Sequence, residues 1–363
     1  METGERGMMI IGRMNTPTTA TTSAMTPVSA PAGTSASTSA STSASTPASA
    51  AAGTAVAAAP SGALRLADWG LIRARGADAA GFLHGQLTQD VTALGATEAR
   101  LAGYCSAKGR LLASFVLWRS GDDSIDLACS AGLLPATLKR LTLFVLRAKC
   151  KLSDASAEVA LYGLAGAEAT AWLGDGAPAR PWATVAVGAG HAVRLPDGAG
   201  QPRYLLSAPV DAAAPALPAL SADDWRWLEV KSGVVRIEAA TAEHFVPQMV
   251  NLELVGGVNF QKGCYPGQEI VARSQYRGTL KRRAMAFDSD AALAAGQEVF
   301  HSADPGQPAG LVALAAARPG GGSSALVEIK LAALSGGSLH AGAADGPLLA
   351  RADLPYTIPV DAA

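Results

Sequence analysis

From Met14 to Leu64 the chain carries no charged residue and consists almost entirely of Ser, Thr, Ala, Pro and Gly. Such a segment has little large apolar surface to bury, so ordering it costs backbone entropy without compensation. Any packed core is thereby confined to the stretch from Leu64 to Ala363, and residues 1–63 are expected to form a disordered tail. The remainder suits about two domains of ~100–200 residues. The patch Met8-Met9-Ile10-Ile11 is too short for a signal-peptide core or a membrane span, and the Ser/Ala-rich run lacks the spaced arginines of a transit peptide. No later window holds an uninterrupted apolar run of ~18 residues. A net charge of -1 with 16% charged residues gives no global field toward nucleic acid or membranes. These features predict a soluble, cytoplasmic, monomeric protein with no direct nucleic-acid partner.

The pattern beyond Leu64 predicts an α+β fold. A strand is expected over Leu64 to Arg73, a helix over Asp78 to Val91, and a hairpin of Ala99–Ser106 with Arg110–Trp118 around Lys108-Gly109. A strand at Ser124–Cys129 and a helix at Leu133–Leu146 follow, closing a first block, 64–150. A second block, 151–220, holds strands at Val159–Leu164, Ala183–Val187 and Tyr204–Ser207 and a short helix at Ala167–Leu173. A helix from Ala222, which Gly233 can terminate, opens block 221–280. Residues 281–363 read as short strands of a small barrel or sandwich.

Cys105, Cys129, Cys150 and Cys264 form no CxxC pair or Cys/His cluster, so no metal site is expected and the spacing suits a reducing compartment. The first three fall in apolar strand-like surroundings and read as small buried hydrophobes. Cys264 differs. It sits in Lys262-Gly263-Cys264-Tyr265-Pro266-Gly267-Gln268-Glu269, where two glycines allow a tight turn and Pro266-Gly267 suits entry into a helix over Gln268–Tyr276, with Ile270 and Val271 inward. A helix start and a neighbouring lysine both favour a thiolate, which is how reactive cysteines are made. Past it, Arg273, Arg277, Lys281, Arg282 and Arg283 read equally as helix capping with a solvated face or as an anion site. Glu269 and Arg273 are i,i+4 partners on that helix. Trp69 and Trp225 read as core residues, although indole also offers a stacking surface for a flat heterocycle. The five histidines show no ligand spacing and read as structural or surface residues.

The Lys262–Glu269 segment resembles the K-G-C-Y-x-G-Q-E signature of the YgfZ family, a folate-binding group related to glycine-cleavage aminomethyltransferases. Further landmarks follow in the family's order: Asp68-Trp69-Gly70-Leu71, Gly85-Gln86-Leu87-Thr88 with Asp90-Val91, Ala107-Lys108-Gly109-Arg110, and Phe245-Val246-Pro247-Gln248 with Asn251-Leu252. The resemblance implies a three-part, ring-like aminomethyltransferase-type fold with a C-terminal β-barrel and a folate, tetrahydrofolate or another reduced form, in its central opening. It implies support of iron–sulfur enzymes as clients, including radical enzymes that thiomethylate tRNA; any turnover would be folate-dependent one-carbon transfer. By the resemblance Cys264 is the functional thiol, and Trp69 and Trp225 attend the folate. Lys262, Tyr265, Gly267, Gln268, Glu269 and Arg273 are assigned to the same site by their place in or beside the motif. Two alternatives compete: a tetrahydrofolate-dependent aminomethyltransferase, for which Asp68 and Asp90 are the early carboxylate candidates, and an RNA-binding module using the Arg273–Arg283 run.

Overall fold

A computed structural model of the protein describes residues 59–276 and 280–359. Most of the uncharged tail, together with Arg277, lies outside the described residues.

The chain enters with β1 (Gly62–Arg65), β2 (Trp69–Arg75) and α1 (Ala79–His84), then β3 (Ala99–Cys105), β4 (Leu111–Gly121), β5 (Ser124–Ser130), α2 (Leu134–Thr142) and β6 (Lys151–Asp154). Next come β7 (Val159–Ala165), α3 (Gly166–Leu173), β8 (Thr184–Val187), β9 (Gly190–Gly198), β10 (Gln201–Pro209), α4 (Ala222–Lys231) and α5 (Gln268–Tyr276). The last elements are β11 (Arg282–Ser289), β12 (Glu298–His301), β13 (Asp304–Ala317), β14 (Ser323–Lys330), β15 (Leu339–Ala341) and β16 (Leu348–Ala352). They make two five-stranded sheets, ordered β3-β4-β5-β2-β6 and β1-β7-β10-β9-β8, and a closed barrel ordered β11-β14-β13-β12-β15-β16. The fold class is α+β with a C-terminal barrel. Closure leaves the barrel without a strand edge to template another chain.

Sheet membership cuts across the sequence blocks. The single strand expected over Leu64–Arg73 is two strands in two sheets: β1 pairs with β7, whereas β2 pairs with β5 and β6. The chain switches sheets at Asp68, whose carboxylate is held by Arg226 and Arg236. The apolar alternation changes phase at the switch, from Leu64 and Leu66 to Trp69 and Leu71, which reading the stretch as one strand overlooks. Folded structure also begins earlier than Leu64. Gly62 and Ala63 pair with Ala165 and Leu164, and the Ser61 hydroxyl bonds Glu168 at 3.0 Å.

Two helices are shorter than their apolar patterns. In place of Asp78–Val91, α1 stops at His84; beyond it Thr88 N–H bonds Gly103 O at 2.9 Å and Leu87 bridges to Tyr104 on β3. Phe82, Leu83 and Leu87 are buried even so, because a turn can inter the same side chains that a longer helix would. In place of Leu133–Leu146, α2 ends at Thr142 and leaves Leu143, Phe144 and Leu146 exposed. Strand β9 was not anticipated; Gly and Pro interrupt its pattern at His191–Gly198. No described helix is long and apolar enough to cross a membrane.

Candidate functional sites: an interior cavity and a thiol loop

Between the two sheets and α4 lies a partly open cavity of about 40 Å³, lined by Trp69, Trp182, Arg203, Glu229 and Arg236 among others. Each side chain arrives from a different element. Trp69 opens β2, Arg203 points in from β10, and Glu229 comes from α4, whose start is capped by Ser221 accepting from Asp224 N–H at 3.0 Å. Arg236 lies just after Gly233, whose φ of +71° turns the chain out of α4.

The two arginines are in opposite electrostatic situations. Arg236 donates to Asp68 at 2.7 Å and to Glu229 at 3.2 Å, contacts Glu238 at 3.2 Å, and stacks 4.8 Å above the centre of the Trp69 ring. Burial works against its charge, but the three carboxylates together raise its pKa above the ordinary arginine value. Arg203 is only 3% exposed and has no side-chain hydrogen bond or ion pair among the described residues. Burial pushes its pKa down to about 10, against the pull of Glu229. A buried guanidinium is normally paired because the desolvation cost is otherwise unmet. The buried indole N–H of Trp69 likewise has no acceptor. Trp182 holds φ at +67°, which is strained for a bulky side chain. Its N–H donates to Arg194 O at 2.7 Å and its carbonyl accepts from Ala99 N–H at 2.7 Å, so the two sheets hold that conformation between them.

Trp225 is brought close to this cavity but does not line it. Its ring is fully buried against Gly163, where a Cβ would come within 2.6 Å, and the Arg203 guanidinium sits 4.5 Å above the ring centre. Trp225 thus backs the arginine. Trp227 is turned toward the barrel, its indole N–H donating to Ser324 Oγ at 3.2 Å.

The second site is the loop that carries Cys264. Gly267 has φ +77°, and a Cβ there would stand 2.4 Å from Ser106 O and 2.6 Å from Gly109 N. Gly109, at φ +69°, in turn meets Ile270. The Ala107–Arg110 turn and the thiol loop therefore lock through two left-handed glycines. Gly263 has no such φ, so of the two motif glycines only Gly267 serves the backbone in the expected way. Helix α5 starts at Gln268 as anticipated, with Val271 buried; Ile270, expected inward, is 40% exposed and touches the turn at Gly109 with only part of its side chain.

Cys264 is exposed, whereas its neighbours are not. Lys262 is 9% exposed and its Nζ donates to His84 O at 2.5 Å and Leu87 O at 3.0 Å, tying the loop to the end of α1. The same ammonium lies 4.7 Å above the buried Tyr265 ring. Burial draws the Lys262 pKa down to about 8, although Asp90 and Cys264 pull it up. Burial also raises the Tyr265 phenol. Cys105 and Cys129 are buried and pushed up to about 12 by desolvation. Glu269 and Arg273 are both exposed and form no ion pair with one another among the described residues.

The sequence-predicted residues therefore fall into two groups. Trp69 and Trp225 belong to the cavity and its wall; Cys264, Lys262, Tyr265, Gly267, Gln268, Glu269 and Arg273 belong to the thiol loop and α5, and none of these lines the cavity. The basic run is not one surface. Arg282 pairs with Glu328, and the buried Arg283 with Glu253, inside the fold. Sequence reasoning missed Arg203, Glu229, Arg236 and Trp182. The signal for Arg203 was an arginine directly before the apolar run Tyr204-Leu205-Leu206. Asp68 is taken up by Arg226 and Arg236, and Asp90 by His84 and Thr92, so neither candidate carboxylate lies in the cavity. No group of three or more His, Cys, Asp or Glu among the described residues is arranged to hold a metal.

Such a fold, two antiparallel sheets with a cavity between them and a C-terminal barrel, is of the aminomethyltransferase type. It matches the glycine cleavage system aminomethyltransferase T from Bartonella henselae with a TM-score of 0.64, over 82% of this chain and 86% of that one, at 18% sequence identity. No family model matches the chain. Over 229 residues it is 40% identical to the tRNA-modifying protein YgfZ of Edwardsiella ictaluri, covering 60% of this chain and 68% of that protein. Over 235 residues it is 33% identical to the tRNA-modifying protein YgfZ of Klebsiella pneumoniae, covering 62% and 71%. The chain belongs to the YgfZ family.

Proposed function

We propose that the cavity takes the pteridine of a reduced folate, and that the protein supports iron–sulfur proteins, including enzymes that thiomethylate tRNA, with Cys264 as its working thiol. The observation that carries the folate reading is the unpaired Arg203 guanidinium, buried beside an indole N–H that also lacks an acceptor. A pteridine offers a carbonyl oxygen and ring nitrogens as acceptors and a flat face for Trp69 or Trp182. When bound, the folate supplies a one-carbon carrier. The chain's own residues orient it: Arg203 and Trp69 donate, while Arg236, fixed by Glu229 and Asp68, holds the Trp69 ring in place.

The tRNA connection rests on the relatives, whose names describe tRNA-modifying proteins. A binding role is favoured over aminomethyl transfer because the carboxylate lining the cavity, Glu229, is already paired with Arg236. With Arg282 and Arg283 engaged internally, a basic-run RNA module loses its support.

The test is titration of tetrahydrofolate with tryptophan fluorescence as the readout, in wild type, Trp69→Ala, Trp225→Ala and Arg203→Met. A charge-assisted hydrogen bond is worth about 1.5–3 kcal/mol, so Arg203→Met should weaken binding by roughly 10- to 150-fold. The ligand-free variant should melt at the same temperature or higher, because an unpaired buried charge has been removed. Unchanged affinity with a lower melting temperature would make Arg203 a structural cation and overturn the folate reading.

A further inference from the structure

The thiol loop packs against a histidine that the reading above leaves unused. His84 closes α1, and its backbone carbonyl accepts from Lys262 Nζ, so its place beside the loop is fixed by a neighbour of Cys264. Its Nδ1 stands 3.0 Å from Asp90 Oδ1. That carboxylate oxygen also accepts from Thr92 Oγ1 at 2.7 Å, Thr92 N–H at 2.9 Å and Ala93 N–H at 3.1 Å. Bonds led by the Thr92 hydroxyl hold the Asp90 pKa down at about 2, so the group is a carboxylate at every working pH. An ionised acceptor on Nδ1 selects the tautomer with the proton on that nitrogen, leaving the Nε2 lone pair available. Nε2 faces the loop: a Cβ built on Gly263 would meet it at 3.4 Å, with no other atom outside the adjoining residues within 4 Å. The residue that follows is the exposed Cys264.

We propose that His84, oriented by Asp90, is the proton acceptor for the Cys264 thiol. This rests on the reading of Cys264 as the working thiol. In the step, the S–H bond breaks, the proton passes to His84 Nε2, and the electron pair stays on sulfur. The imidazolium so formed remains beside the Asp90 carboxylate, and the thiolate beside Lys262. The charged groups around the pair are Asp90 on the ring, Lys262 on the His84 carbonyl, and Arg100, whose guanidinium donates to the Asp90 carbonyl. Cys264 and His84 make no direct hydrogen bond among the described residues, so the proton moves when the loop brings the thiol onto Nε2; a base held by a third group is how thiols are activated in nucleophilic cysteine sites generally.

The test is the rate of Cys264 alkylation by iodoacetamide as a function of pH, followed by peptide mapping in the full-length protein. His84→Gln keeps the backbone carbonyl that Lys262 uses, and Asp90→Asn keeps an oxygen for Thr92 and Ala93. At pH 6.5 alkylation should fall by roughly tenfold or more in His84→Gln and by less in Asp90→Asn. The difference should close above about pH 9, where a cysteine ionises without help. A merely structural role would lower melting temperature without this pH-dependent convergence. If His84→Gln folds and its Cys264 reacts at the wild-type rate across the range, the proposal fails. If it does not fold, a wild-type rate in Asp90→Asn overturns the proposal instead. The underlying reading is tested separately: full rescue of iron–sulfur enzyme activity by Cys264→Ser would remove the thiol, whatever His84 does.

Discussion

The cavity and the thiol loop solve opposite problems. The cavity lies between the sheets, and its charged groups are held by ion pairs or left unmet; Arg203, Glu229 and Arg236 come from β10, α4 and the segment after α4. The thiol loop lies at the surface, and its geometry is written locally, in two left-handed glycines and a lysine that reaches two backbone carbonyls. One site depends on tertiary assembly for its existence, the other only for its anchorage. Strand β3 touches both, with Leu101 on the cavity and Cys105 near Tyr265, about 13 Å apart at the usual rise per residue.

If that contrast is right, damage to the cavity should be global. Arg236→Met leaves Glu229 buried without its partner, while Asp68 and Glu238 keep Arg226. Removing one partner of a buried pair costs about 3–5 kcal/mol. A large fall in thermal midpoint is expected, and urea unfolding would measure it. A loss below about 1 kcal/mol would mean that water reaches Glu229, and the cavity would not be the desolvated site described.

The thiol loop should break at its glycines. Gly267→Ala must place a Cβ into the backbone of Ser106 and Gly109 at a φ that favours glycine, at a cost of about 1–3 kcal/mol. The structure should survive, with the Cys264 loop displaced from the Ala107–Arg110 turn. Hydrogen exchange confined to residues around Gly109 and Val271 would show it; a fall spread over both sheets would contradict the local character of the site.

This difference also decides what could be read in the chain. The loop was legible because its chemistry is contiguous: Gly267 supplies the turn, Pro266 precedes it, and α5 starts where those residues place it. The barrel was legible for a similar reason, since short strands between Gly, Pro and Asp need no knowledge of partners. The cavity was not legible. Arg203 and Arg236 look alike in sequence, and only burial with and without carboxylates separates them. The sheet switch at Asp68 shows only as a change of phase in the apolar alternation, and α1 ended early because a buried turn satisfies apolar spacing as well as a helix does. His84 read as a structural or surface residue because Asp90 and Gly263 become its neighbours only through packing.

A smaller effect is expected from Lys262. Its folded pKa, about 8, lies below the ordinary lysine value, so between about pH 8 and 10.4 the unfolded chain binds more protons than the folded one. Stability attributable to this residue must therefore rise with pH across that window, as the cost of a buried ammonium is relieved. Comparing denaturant midpoints of wild type and Lys262→Met from pH 7 to 10.5 isolates it. The wild type should gain on the variant as pH rises; a gap that moves the other way would mean the ammonium is stabilised by its carbonyl partners more than burial opposes it.

The smallest effect on the fold, and the most informative for function, belongs to Cys264 itself. Its side chain is exposed, so it contributes no apolar packing that serine would forfeit. The loop's shape depends on Gly267 and Lys262, neither of which contacts sulfur as a structural partner. Cys264→Ser should therefore change unfolding free energy by less than about 0.5 kcal/mol. It should leave tetrahydrofolate affinity unchanged, since the loop does not line the cavity. Oxygen cannot replace a soft nucleophile or a thiolate ligand, so the variant should fail to restore iron–sulfur enzyme activity in cells lacking the protein. The three buried or half-buried cysteines are internal controls: burial raises the pKa of each, and they should alkylate slowly in the native state. A Cys264→Ser protein that is stable, binds folate and complements fully would leave the cavity as the working site and reduce the thiol loop to an anchor for α1 and α5.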